Sequence, residues 1–227
     1  LGDRIRVRSA ATDTGVFLRS MAARDRLGGL SEATRAAVVI LGCAFDRVFV
    51  ETVGVGQSEL EAAALADTLV YVANPGSGDW LQFMKAGVIE APDVFVVNKA
   101  DLGAVARTTA GELTGGMGLG EAASADWQPP VLLVSAREGT GIDALVAALE
   151  AHRQALAAGG GLRERRRRGR ESWILDGLAR RYGSYGLERC GGREALRTRL
   201  AEREVSSSFA LLAELGREIE DALLKPR

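Results

Sequence analysis

Residues 94–101 read VFVVNKAD. Three valines and a phenylalanine run without a polar break into Asn98, Lys99, Ala100 and Asp101. A short continuous apolar run suits a strand buried on both faces of a parallel sheet, where strict alternation would suit a half-solvated one. Comparable runs occupy 47–52, 68–74 and 131–135, each followed by turn residues. Helix-like stretches lie at 31–41, 58–66, 80–90 and 142–157. This alternation predicts an α/β doubly wound layer, and such layers take ligands at the carboxyl ends of their strands. The polar motifs of this chain all fall at such ends.

Asn98-Lys99-Ala100-Asp101 matches N-K-x-D, a pattern with a base-reading logic. Guanine presents N1–H and the exocyclic N2 amino group side by side, and an ionised Asp101 accepts both. Adenine lacks that donor pair, so beside adenine the acid would be stranded, at a cost that discriminates. Asn98 can tie the loop together and reach the N7 side of a purine, while the aliphatic stem of Lys99 covers the base plane. The next apolar run, VLLV, ends in Ser135-Ala136-Arg137. That matches an S-A-[KLR] loop whose backbone N–H groups meet guanine O6. Two such loops on successive strands predict one guanine pocket.

The stretch at 47–60, RVFVETVGVGQSEL, is the other informative one. GVGQS differs by one letter from the GVGKS of a phosphate-binding loop, whose pattern is G-x-x-x-x-G-K-[ST]. Counting back from Gly56, the first glycine of that pattern falls on Glu51, and the lysine position holds Gln57. A carboxylate in the phosphate cradle would repel a triphosphate. A better alignment ends an apolar strand in Glu51-Thr52-Val53-Gly54. The acid then faces Mg²⁺, and Gly54 offers a backbone N–H to the last phosphate. Gln57 can orient a water molecule or bond backbone in a switch segment.

Composition sets the outer limits. The 227 residues are 47% apolar and 26% charged, which suffices for a buried core. A net charge of −1 gives no global footprint for nucleic acid or membrane binding. Two distant cysteines, Cys43 and Cys190, and a single histidine, His152, argue against a disulfide scaffold or a Cys/His zinc site. No run of eighteen apolar residues is present, and 1–9, LGDRIRVRS, have no apolar signal core. A cytoplasmic protein is expected, and an opening without methionine suggests a fragment or processed form.

After residue 157 the character changes. Gly159-Gly160-Gly161 reads as a linker, and six arginines follow within 163–170. Helix-period stretches at 171–182, 193–204 and 209–224 carry no further strand. We therefore expect a nucleotide-binding domain at 1–157 and a small helical region at 158–227. The arginine run reads as a solvated helix face, with an acidic partner or phosphates as the alternative. His152 reads as a surface histidine and Cys43 as core. Trp173 should pack the arginine helix onto the first domain or onto a second subunit. Asp67 and Asp93, placed before strands, read as caps or turn acids.

Together, ETVGVGQSE, the PGSGD of 75–79 and VNKAD resemble the MeaB/ArgK family of GTPases, relatives of the methylmalonic aciduria type A protein. The resemblance covers residues 1 to about 180, and its Glu-T-V-G-V-G-Q-S signature is specific, since most GTPases have Asp-x-x-Gly there. It implies a P-loop NTPase-type, SIMIBI-like, mainly parallel sheet, incomplete at its N-terminal side, with a C-terminal helical dimerisation region. It implies GTP and GDP as ligands with Mg²⁺, Asp3 and Glu51 as metal-associated acids, and Gly54 at the phosphate. Asn98, Lys99 and Asp101 would read guanine, with Ser135, Ala136 and Arg137 closing over it, and Gln57 is the catalytic candidate. The implied partner is an adenosylcobalamin-dependent acyl-CoA mutase such as methylmalonyl-CoA mutase, and the implied assembly a homodimer, without nucleic acid or membrane. One departure stands out: no G-x-x-x-x-G-K-[ST] occurs in the 227 residues. The expected sheet would then have exposed inner edges, and nucleotide binding by this chain should be weak. A non-hydrolysing interaction module of the same family is the alternative. A metallochaperone GTPase is disfavoured by the lack of Cys/His motifs.

Overall fold

The structure, a computed structural model, describes residues 13–21, 31–52, 64–77, 92–117, 127–203 and 207–225. Asp3, Gly54 and Gln57 lie outside these segments. The chain divides into two compact units, Leu1–Ala62 and Ala63–Arg227.

In the first unit, helix α1 spans Glu32–Gly42. Ser31 caps it, its Oγ accepting the Thr34 N–H at 3.1 Å. This satisfies one of the orphan donors of the first turn. Residues 47–52, expected as a strand, form none, and Phe49 is exposed. A strand is a property of a ladder: Val48, Phe49 and Val50 need a neighbour's N–H and C=O groups. No described segment supplies them. Cys43, expected in the core, is exposed just past the end of α1.

The second unit contains a three-stranded parallel sheet in the order β1-β2-β3, formed by Val70–Ala73, Val94–Val97 and Val131–Leu133. All four residues of central β2 are buried, as its unbroken apolar sequence requires. Phe95 and Val97 point to one face, where Ala106 and Leu113 of helix α2 (Ala104–Met117) cover them. Val94 and Val96 point to the other, against Val134 and against Leu145 and Leu149 of helix α3 (Ile142–Ala158). The result is a helix-sheet-helix sandwich with β1 and β3 as edges. Val72 and Leu133 on those edges are exposed.

The expected glycine linker is a tight turn. Gly159 closes α3, Gly160 takes a left-handed φ of 71°, and helix α4 (Gly161–Glu188) starts at once. The arginine run lies in its first three turns, and the helix starts ten residues earlier than the periodicity at 171–182 indicated. Part of its charge is matched within the helix. Glu164 accepts from Arg167 and Arg168, and Arg167 also reaches Glu171 one turn on. Such i,i+3 and i,i+4 pairs support a helix that lacks an apolar stripe. Those two arginines hold the Glu164 carboxyl down at about 2. The helical geometry breaks at Gly183, with φ 66° and ψ −176°, where the 171–182 expectation placed the end.

Beyond Trp173, α4 packs with helices α5 (Gly192–Ala201) and α6 (Ser208–Leu224) around Ile174, Leu175, Leu178, Leu196, Leu215 and Ile219. Trp173 packs against this cluster and meets Phe209 edge-on at 5.1 Å between ring centroids.

Below the sheet, at the amino ends of β1 and β2, sits a buried polar cluster. Arg165 reaches back from α4 and donates two hydrogen bonds to Asp93, at 2.9 and 2.7 Å. The Leu69 N–H donates to the same carboxylate at 2.7 Å, and Trp127 Nε1–H donates to the Asp93 carbonyl at 2.8 Å. His152, expected on the surface, is only 2% exposed. Its Nε2 lies 3.3 Å from Asp93 Oδ1, and its Nδ1 lies 2.9 Å from Thr68 Oγ1. Both ring nitrogens of His152 thus have polar partners. Asp93 is thus the hub of the cluster and not a simple turn acid. Burial pushes its carboxyl upward, but the bonds from His152, Arg165 and the Leu69 amide outweigh that and leave it below the usual range. Asp67 is likewise taken, by Arg166 at 2.7 and 2.5 Å.

At Gly169 the backbone of α4 passes so close to Ala64 that an added Cβ would stand 2.0 Å from the Ala64 carbonyl oxygen. Only glycine allows this approach.

Candidate functional site

At the opposite, carboxyl end of the sheet the ladder continues into the loops. Asn98 N–H donates to Ala73 O at 3.0 Å, Val134 N–H to Val97 O at 2.9 Å, and Ala100 N–H to Val134 O at 3.0 Å. The segment 98–101 therefore inherits the register of β2, and Ser135 follows directly from β3.

The two loops are knitted together by side chains. Asn98 Oδ1 accepts the Lys99 N–H at 2.7 Å and, across the strand gap, the Ala136 N–H at 3.2 Å. The Ser135 hydroxyl donates to Asp101 Oδ1 at 2.7 Å. A guanidinium nitrogen of Arg137 lies 3.0 Å from Asp101 Oδ2. Six expected residues, Asn98, Lys99, Asp101, Ser135, Ala136 and Arg137, thus come together. Asp101 itself sits in a short 3-10 turn, Ala100–Leu102.

Lys99 has φ 56° and ψ 42°, the one non-glycine residue with positive φ among the described residues. For an L-residue this left-handed conformation costs about 1–2 kcal/mol. The Asn98 bond to the Lys99 amide holds the backbone there. The strain turns the chain sharply after β2 and aims Asp101 back across the end of the strand.

The loop after β3 is closed from below. Ser135 N–H donates to Thr140 O at 2.9 Å, Gly139 N–H to Ser135 O at 2.8 Å, and Glu138 N–H to Ser135 Oγ at 3.2 Å. Gly141, with φ 77°, starts α3, and a Cβ there would be 2.2 Å from the Leu133 carbonyl oxygen. Ser135 is fully buried, so its hydroxyl has a fixed direction and supports Asp101.

The Ser135 hydroxyl does most to hold the Asp101 carboxyl below the ordinary range. Partial desolvation opposes it, and the charges of Arg137 and Lys99 assist. At neutral pH Asp101 is an ionised double acceptor. Chemically this can pair with two adjacent N–H donors of a planar ligand.

Two contributors were not legible in advance. Thr109, buried on α2, accepts the Gly76 N–H at 3.3 Å and steadies the loop after β1. Within a helix a threonine gives no sign of such a duty. Gly141 is the other, although the Gly139-Thr140-Gly141 spacing hints at a constrained turn.

Glu51 is exposed and lies in the first unit, described apart from these loops. Among the described residues no group of three or more His, Cys, Asp or Glu could hold a metal. Also among them, no helix is long and apolar enough to cross a membrane.

Residues 1–181 match the family model described as "Methylmalonyl Co-A mutase-associated GTPase MeaB". A protein of Pyrococcus horikoshii, named as a GTPase, is 46% identical over 74% of this chain and 53% of its own length. The mouse mitochondrial "Methylmalonic aciduria type A homolog" is 33% identical over 77% of this chain and 43% of its own length. A solved structure of the LAO/AO transport system kinase superposes with a TM-score of 0.54 at 26% identity, covering 81% of this chain and 62% of that one. The chain spans about half the length of the curated relatives it matches.

Proposed function

Because this chain belongs to the MeaB family of methylmalonyl-CoA mutase-associated GTPases, we propose that it supplies the guanine-reading half of a GTP-hydrolysing chaperone. Its client would be an adenosylcobalamin-dependent acyl-CoA mutase such as methylmalonyl-CoA mutase, which it would protect and whose cofactor loading it would gate. The observation carrying this reading is the Asn98–Ala136 and Ser135–Asp101 bonding that joins two loops into one acceptor site.

In this reading Asp101 accepts guanine N1–H and N2–H, and the Ala136 backbone amide lies beside O6. The Lys99 stem covers one base face. Gly54 would present its amide to the terminal phosphate. Gln57 would orient the water that attacks the γ-phosphorus as the bond to the GDP oxygen breaks. Glu51, with Asp3, would hold Mg²⁺, which neutralises phosphate charge when bound. One or two carboxylates plus substrate phosphates are the usual set for this ion, and an exposed Glu51 carboxylate fits that role. The helical region at 158–227 would dimerise. Slow hydrolysis suits a timer whose two conformations are its output.

Titrating the 227-residue chain with guanosine, GDP and adenosine tests this directly. Saturable binding of guanosine and GDP but not of adenosine is expected, and equal uptake of adenosine would sink the assignment. A second reading, a non-hydrolysing interaction module, is favoured by the absence of G-x-x-x-x-G-K-[ST] from these residues. Guanosine binding as tightly as GDP would support it, because phosphates would then add nothing.

A further inference from the structure

The Arg137 side chain is 75% exposed, while the Asp101 side chain it touches is 8% exposed. The same guanidinium nitrogen lies 3.0 Å from Asp101 Oδ2 and 3.2 Å from Glu138 Oε1. It is shared between two carboxylates on either side of it. Asp101 Oδ1 is occupied by the Ser135 hydroxyl, but a carboxylate oxygen has a second lone pair, so Ser135 can stay when a ligand arrives. Arg137 cannot stay as it is. One of its nitrogens lies 3.0 Å from Oδ2, the oxygen a planar donor edge would also need.

The edge that Asp101 would accept is chemically a guanidine: N1–H and N2–H flank one carbon, as two N–H groups do in an arginine head. Arginine and guanine are therefore rivals for one acceptor, with matching geometry. We infer that Arg137 is a positioning residue that competes with the guanine edge for Asp101, and that Glu138 is the carboxylate onto which it steps when the base enters. This rests on the guanine reading of Asp101 proposed above. The device keeps the Asp101 carboxylate oriented at all times. It also ties base affinity to ionic strength, since the ion pair must open first. An exposed pair is weak, so it tunes affinity and does not lock the site.

Guanosine is the right probe because it is neutral, so salt acts on the protein's own ion pair. Raising salt from ~0.1 M, where charges are screened over ~10 Å, to ~1 M, where screening is ~3 Å, should tighten guanosine binding to the parent chain. Arg137→Gln should tighten it about two- to fivefold at low salt and abolish the salt response. Glu138→Gln should act with the opposite sign, because it removes the alternate partner. Circular dichroism establishes that each variant is folded. If Arg137→Gln weakens binding, or leaves both affinity and salt response unchanged, the competition is refuted. In that case guanosine binding that disappears in Asp101→Ala would still leave the base reading intact. If neither parent nor Arg137→Gln takes up guanosine at any salt, the base reading itself has failed, and the competition falls with it.

Discussion

The two ends of β2 each carry an aspartate paired with an arginine, and they behave as opposites. Below the strand, Asp93 receives two guanidinium bonds from Arg165 and a backbone amide, with His152 alongside; the two paired side chains are 12% and 26% exposed. Above it, Asp101 meets one nitrogen of a largely solvated Arg137. The lower pair is bidentate, buried and saturated, so it has nothing left to offer a ligand and serves to clamp α4 under the sheet. The upper pair is a single ion-pair contact at 3.0 Å to a solvated arginine. Residue identity does not separate a structural ion pair from a binding one. The number of partners and the depth of burial do.

The contrast can be broken most severely at Asp93. Replacing Asp93 with Ala strands Arg165 and His152 together, and breaking a buried pair costs on the order of 3–5 kcal/mol. Urea denaturation should register it as a large drop in midpoint. The pH dependence has a definite sign. The folded carboxyl lies below its ordinary 3.8. The stability it contributes is therefore fully present above about pH 5 and is lost as the pH falls through and below 3.8. Asp93→Asn should flatten that acid limb, and an unchanged acid limb would refute the hub role.

The next largest effect belongs to the upper end. Asp101→Asn replaces one acceptor with a donor, which mismatches guanosine but matches xanthosine, whose edge has N1–H beside a carbonyl. Guanosine affinity should fall about ten- to a hundredfold, with xanthosine gaining. Stability should hardly move, and calorimetry can follow both.

Gly169→Ala is a sharper probe of the clamp, since an added methyl cannot fit against Ala64. Overpacking should cost about 1–3 kcal/mol, read as a lowered melting temperature. Were Gly169→Ala neutral, the close approach of α4 would be wrong. The smallest effect is expected at Arg168, a solvated arginine bonded to Glu164. Arg168→Gln should leave the melting temperature within measurement scatter. A large loss there would mean that the arginine run acts as a unit.

Much of the upper end was legible because its information is local. VFVV followed by NKAD places polar residues directly after a buried strand, and the same holds for VLLV followed by Ser135. Once the strands pair in parallel, both loops must emerge at one edge. The lower end was not legible, because Asp93 lies dozens of residues before His152 and Arg165 and meets them only where α3 and α4 pack under the sheet. His152 looked like a surface residue since its helix has polar neighbours, and the arginines looked solvated since sequence shows charge without partner.

The chain by itself determined the parallel α/β layering, the helical C-terminal region and the grouping of the loops after β2 and β3, because side-chain period and strand-end chemistry are encoded in adjacent residues. Only the tertiary structure decided that residues 47–52 do not pair as a strand among the described segments, that α4 runs unbroken through the arginines to Gly183, and that Arg137 leans on Asp101. Each depends on what a distant backbone or side chain supplies. Ladder bonds, buried ion pairs and shared hydrogen-bond acceptors are set by three-dimensional proximity, which no local pattern specifies.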